Sequence, residues 1–207
     1  MFVLPDGTAR LSRGGDELRH FMGCSTFAEA TVVSEFSVAK VNPDASLEAA
    51  CLFACGLSTG LGAAMYRAKV TPGSTVVVFG LGMVGLGAVV GARLQGAERI
   101  IGVDLSQDRL DIATNLHGAT DGWVADANTV ARVLEETGGQ GADFTFEATG
   151  NVAVMQQAVE AARMGWGVAT MTGVAGKGET LDIVPRLLIT GRTVLGASFG
   201  GVRGRKD

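Results

Sequence analysis

Thr75-Val76-Val77-Val78-Phe79-Gly80-Leu81-Gly82-Met83-Val84-Gly85 is the stretch that decides the fold. Five β-branched or aromatic residues end on a Gly-x-Gly-x-x-Gly run, and a helical pattern starts at once. A strand that turns through glycines into a helix opens a βαβ unit. The downstream spacing agrees. Residues 99–103 read as a second strand, and Asp104 ends it 19 residues after Gly85, close to the roughly 20 residues of a dinucleotide fingerprint. Gly80 is expected to make the tight turn, Gly82 to let a pyrophosphate approach the backbone, and Gly85 to let helix and strand pack closely. Leu81, Met83 and Val84 complete that loop.

A helix that begins there offers free N–H groups and a positive dipole end to phosphate. Asp104 is placed to accept hydrogen bonds from adenosine-ribose hydroxyls. Its charge opposes a 2′-phosphate, so NAD is the expected cofactor rather than NADP. Arg109 is close enough in sequence to reach the same ribose, where a neighbouring Arg can also favour NADP.

Strand and helix alternate after this unit. Strands are expected at residues 122–124, 143–147, 167–172 and 192–196, separated by helical faces built on Leu110, Val133 and Val159. With the two strands already placed, this predicts an α/β fold with a doubly wound, parallel, six-stranded sheet. The expected apolar stripe of the first helix is Met83, Leu86, Val89, Val90 and Leu94. Before the sheet, Ser46 caps a helix with Leu47, Ala50, Cys51 and Ala54 on one face, and a second helix runs to about Ala68. Residues 27–33 and 36–41 look like strands, and the first twenty residues show no period.

Composition limits the partners. The chain has 207 residues, 47% hydrophobic and 18% charged, with a net charge of −4. That balance gives no reason to expect nucleic acid or an anionic membrane surface. The opening Met1-Phe2-Val3-Leu4 runs straight into Pro5-Asp6, which does not make a signal peptide. Gly80, Gly82, Gly85 and Gly87 interrupt the longest apolar run. Cys24, Cys51 and Cys55 do not form a disulfide framework, so reduced thiols and a cytoplasmic location are expected. His20 and His117 have no metal-ligand spacing to Cys55. Trp123 and Trp166 read as packing residues, and Asp143 and Glu147 as structural acids of one strand.

Several ordered stretches carry a family resemblance. They are Gly23-Cys24-Ser25-Thr26-Phe27-Ala28-Glu29, Cys55-Gly56-Leu57-Ser58-Thr59-Gly60, the glycine loop, Ile101-Gly102-Val103-Asp104, Phe146-Glu147-Ala148-Thr149-Gly150-Asn151-Val152, Gly165-Trp166-Gly167 and Thr190-Gly191-Arg192-Thr193. Together they resemble the zinc-dependent medium-chain alcohol dehydrogenases, and most of all the class III, glutathione-dependent formaldehyde dehydrogenase branch. The resemblance implies a Rossmann sheet over residues 57–199, after a partial β-rich, GroES-like catalytic segment at 1–56. Residues 200–207 would start the return to that catalytic domain.

The resemblance also implies roles. Cys55 matches a catalytic-zinc ligand, and Thr59 a residue beside the nicotinamide. Thr172-Gly173-Val174 and Ala197-Ser198-Phe199 match stretches whose backbone holds the nicotinamide end. A homodimer joined through the last strand, residues 192–196, is implied. So is NAD-dependent oxidation of an alcohol or thiol adduct such as a hemithioacetal, assisted by zinc. The family's other zinc ligands, a Cys and a His, and its Ser/Thr–His proton relay have no matching positions among these residues. The resemblance therefore implies an internal fragment, and a catalytically silent NAD-binding module stays open as the alternative.

Overall fold

A computed structural model describes residues 6–202. Residues 1–5, with the opening read against a signal peptide, and 203–207, with most of the expected return segment, lie outside the described residues. The chain forms two compact units that divide between Ala45 and Ser46.

The smaller unit holds an antiparallel hairpin of β1 (Leu11–Arg13) and β2 (Asp16–Leu18), with Leu11 opposite Leu18. Gly14 and Gly15 take positive φ at its turn, a conformation glycine adopts freely. The strands expected at 27–33 and 36–41 are not formed. Residues 35–37 make one 3-10 turn capped by the Ser34 side chain, and the rest is irregular. Phe27, Val32, Phe36, Val38 and Val41 all lie exposed. β-branched residues favour a strand only where another strand pairs with them and covers a face, and neither condition is met here.

The larger unit opens with α1 (Leu47–Ala50), whose Ala49 N–H donates to the Ser46 hydroxyl at 3.3 Å. A 3-10 turn over Cys51–Ala54 breaks the expected single helical face. Next comes α2 (Gly56–Gly62), extended by a wider turn to Ala68. The alternating region follows in chain order: β3 (Thr75–Phe79), α3 (Met83–Leu94), β4 (Arg99–Asp104), α4 (Gln107–Ile112), β5 (Asp121–Val124), α5 (Thr129–Glu136), β6 (Phe144–Glu147), α6 (Val152–Ala161), β7 (Val168–Met171), α7 (Pro185–Ile189) and β8 (Thr193–Gly196). The sequence reading had no counterpart for α7.

All pairings in the sheet are parallel, and the strand order is β5-β4-β3-β6-β7-β8. Alternation along β3 sorts side chains to two layers. Val76 and Val78 join a cluster with Ala63, Ala88, Val89 and Leu110. Val77 and Phe79 join Val133, Ala158 and Ala161 on the opposite face. Both faces of β3 are covered, so its interior residues Val76, Val77 and Val78 are apolar on either side. The chain runs one way from β3 to β5 and the other way from β6 to β8, leaving a switch point between β3 and β6.

The buried face of α3 differs from the expected stripe. Met83 and Leu94 are exposed, and the residues turned inward are Gly85, Gly87, Ala88, Val89, Gly91 and Ala92. The cause is α2, which lies almost against the α3 backbone. A Cβ on Gly60 would fall 2.0 Å from the Val84 carbonyl oxygen, and one on Gly87 2.7 Å from that of Leu57. Small residues permit that approach, whereas a large apolar stripe would hold the helices apart. Among the described residues no single helix is long and apolar enough to cross a membrane.

A candidate dinucleotide site at the strand ends

An open cleft of about 540 Å³ lies at the carboxyl ends of β3, β4, β5 and β6, beside the switch point. Its walls include Gly80, Gly82, Asp104, Leu105, Arg109, Asp126, Thr149 and Asn151. Ligands of open α/β sheets bind at this place.

The glycine loop fits a dinucleotide for three separable reasons. Gly80 has φ +87°, the left-handed region, and a Cβ there would meet the Thr149 methyl at 2.6 Å. Gly85 packs so tightly that a Cβ would fall 1.8 Å from the Gly80 carbonyl oxygen. A Cβ on Gly82 would meet nothing within 4 Å, because this position faces the open cleft. Gly82 is also the N-cap of the twelve-residue α3, and no side chain caps that helix. Its first N–H groups have no partner within the helix, and Gly82 itself lines the cleft.

Asp104 closes β4 with a carboxylate only 8% exposed. One oxygen accepts the Leu81 N–H at 2.7 Å, and the other accepts the Ser106 N–H at 3.0 Å. The acid thus holds the glycine loop and the β4 exit in register, while lining the cleft. The Arg109 guanidinium, itself exposed, stands 3.6 Å from the same carboxylate. The pair places a negative and a positive group side by side at the cleft wall.

The remaining expected residues cluster at the next strand exits. Thr172 and Gly173 follow β7, and their N–H groups donate to the Glu147 carbonyl at 2.9 and 3.1 Å. Val174 is exposed. Ala197 follows β8, buried, with its N–H on the Met171 carbonyl at 3.0 Å. Ser198 and Phe199 begin the turn after it, and Phe199 takes a left-handed φ of 48°. That turn lies against α2, where Thr59 is buried. A Cβ on Gly200 would sit 3.0 Å from the Thr59 carbonyl oxygen. The fold therefore gathers the glycine loop, Asp104, 172–174 and 197–199 at one end of the sheet.

The sequence reading did not single out Thr149, Asn151 or Asp126. Thr149 and Asn151 belong to the family-resembling stretch 146–152, and Asp126 stands two residues past the end of β5.

Cys55 is the N-terminal boundary residue of α2 and is exposed, with its thiol free. A catalytic zinc needs about three protein ligands, and among the described residues no group of three or more His, Cys, Asp or Glu could hold a metal. The described residues do not make a complete zinc site. His20 is buried in the smaller unit, where its Nε2 accepts the Arg10 N–H at 3.0 Å. Trp123 is buried as expected, under the Arg132 guanidinium at 3.9 Å. Trp166 is instead 63% exposed, with Arg163 4.5 Å from its ring.

The family model described as zinc-binding dehydrogenase matches residues 83–207. Alcohol dehydrogenase class-3 of Myxine glutinosa is 48% identical over 96% of this chain and 53% of its own length. S-(hydroxymethyl)glutathione dehydrogenase of Synechocystis is 48% identical over 99% of this chain and 56% of its own. The crystal structure of benzyl alcohol dehydrogenase from Acinetobacter calcoaceticus superposes with a TM-score of 0.86 at 33% identity, covering 97% of this chain and 56% of that one. The chain spans about half the length of the curated relatives it matches. With a family model over more than half its residues and relatives 48% identical over nearly all of it, the chain belongs to the zinc-binding dehydrogenase family.

Proposed function

We propose that the chain seats NAD and serves as the cofactor half of an NAD-dependent alcohol dehydrogenase. The substrate class we infer is a small alcohol or a hemithioacetal of the S-hydroxymethylglutathione type, after the printed names of the relatives. NAD supplies the hydride acceptor when bound. The chain's own residues bind and orient it. The start of α3 receives the pyrophosphate, Asp104 accepts from the adenosine-ribose hydroxyls, and the backbone of 172–174 and 197–199 holds the nicotinamide end near Thr59. The observation that carries this reading is Asp104, buried at the end of β4, bonded to the glycine loop and lining the cleft.

Calorimetric titration of Asp104→Ala against the parent tests it. NAD affinity should fall about tenfold or more, the size of one lost charged hydrogen-bond acceptor. NADP affinity should fall less, so the preference relaxes. An unchanged NAD to NADP preference overturns the assignment.

Cys55 is proposed as one zinc ligand of the full catalytic centre, with further ligands supplied from outside the described residues. The second reading, an NAD-binding module without turnover, is favoured by the incomplete donor set around Cys55. NADH absorbance with formaldehyde and glutathione separates the two, because the silent module gives none. A homodimer through the edge strand β8 is proposed on the family resemblance, and sedimentation velocity reads it directly.

A further inference from the structure

Glu147 is the buried acid whose surroundings the cofactor reading leaves unused. It ends β6 at 0% exposure and takes part in none of the ion pairs seen among the described residues. One carboxylate oxygen, Oε1, accepts three donors: the Thr149 N–H at 2.6 Å, the Gly150 N–H at 2.8 Å and the Thr149 hydroxyl. The main-chain carbonyl accepts three more, from the Thr172 N–H at 2.9 Å, the Gly173 N–H at 3.1 Å and the Thr172 hydroxyl at 2.6 Å. The other carboxylate oxygen, Oε2, is buried with no hydrogen-bond partner. Leaving such an atom unpaired is costly, so its position calls for a physical account.

The neighbouring Gly173 crowds that oxygen. A Cβ on Gly173 would stand 2.6 Å from Glu147 Oε2 and 2.2 Å from the Gly150 nitrogen. A Cβ on Gly150 would stand 2.6 Å from the Val174 carbonyl oxygen. The unpaired oxygen is therefore a wedge against Gly173, while Oε1 and the carbonyl draw in the loops after β6 and β7. Thr149, held by Oε1, carries the contact on to Gly80 of the glycine loop, whose Cβ would meet the Thr149 methyl at 2.6 Å. One residue thus sets the spacing between the pyrophosphate loop and the 172–174 backbone.

We propose that Glu147 is a positioning residue for the nicotinamide half of the cofactor, acting through Thr149, Gly150 and Gly173 rather than by touching the ring. This rests on the NAD reading above. Glu147→Gln keeps the shape and one acceptor oxygen but makes three charge-assisted hydrogen bonds neutral, and neutral bonds are about half as strong. The loop after β6 then loses part of its anchor, and the 172–174 backbone packed against Gly150 shifts with it, while Asp104 keeps its own bond to the glycine loop.

The experiment compares two ligands on the 207-residue chain. NADH uses both halves of the site, and ADP-ribose uses only the adenosine and pyrophosphate half. In Glu147→Gln the Kd for NADH should rise about fivefold to tenfold, and that for ADP-ribose should stay within about twofold. Thr172→Val removes only the hydroxyl bond at the other end of the clamp. It should show the same split in smaller measure, and it supplies the test if Glu147→Gln does not fold. Equal weakening of both ligands, or no weakening of either, overturns the positioning role. If the parent binds neither ligand, the NAD reading itself fails and this inference falls with it.

Discussion

Gly82 and Gly85 share one motif, yet the structure gives them opposite duties. At Gly85 a Cβ would collide with the Gly80 carbonyl oxygen at 1.8 Å, so the glycine serves the fold. At Gly82 a Cβ would meet no atom of the chain within 4 Å, so the glycine leaves room for a ligand. Gly85→Ala should lose about 2 kcal/mol or more in urea unfolding, as backbone collisions of this kind do. Gly82→Ala should change stability by about 1 kcal/mol at most, yet weaken NADH binding at least about tenfold, because its methyl would occupy the phosphate approach. NADH affinity kept in Gly82→Ala would remove the pyrophosphate from this loop. The three glycines were legible in the sequence because their spacing repeats a fixed geometric problem. Glu147 was not, since an acid at a strand end shows its six hydrogen bonds only once the loops after β6 and β7 are brought together.

At the scale of elements, the edge strand β5 shows what holds a short, partly exposed strand to a sheet. Arg99 on β4 donates two hydrogen bonds to Asp121 at 3.2 Å and one to Glu136 on α5 at 3.1 Å. The Arg99 hydrogen bonds hold the Asp121 carboxyl below its ordinary value of 3.8, and the Thr120 hydroxyl adds to this. A carboxyl whose folded value is depressed contributes stability above its unfolded value and loses it as the pH falls through the folded one. The stability gap between the parent and Asp121→Asn should then be about 1 kcal/mol or less near pH 6. It should close as the pH falls below the ordinary carboxyl value and through the depressed one. Urea melts across that range measure it, and a constant gap would refute the latch. The six sheet strands were legible within a residue or two, the inner ones as apolar runs and the edge strands β5 and β8 from their place in the strand–helix alternation. The inward face of α3 was not, because its packing is set by the glycines of α2, which lie far from it in sequence. Nor was the absence of strands at 27–33 and 36–41, since a β-rich composition states a preference and supplies no partner strand.

Over the whole molecule, burial is unequally shared. In the smaller unit His20 is the only buried residue among those described, while Leu11, Leu18, Phe21, Phe27 and Phe36 all stand exposed. In the larger unit two continuous clusters fill both faces of the sheet. Segments with few buried contacts open locally at little cost and are cut first. Arg19 and Lys40 are both exposed in the smaller unit, so brief native trypsin digestion should cleave there before it cleaves between β3 and β8. Mass spectrometry should find a surviving core that begins just after Lys40. That core should bind NADH with the affinity of the intact chain, since every residue lining the cleft falls between Phe79 and Gln157. First cleavage inside the sheet would contradict this division of stability. A surviving core that no longer binds NADH would mean that the smaller unit, and not the strand ends alone, builds the cofactor seat.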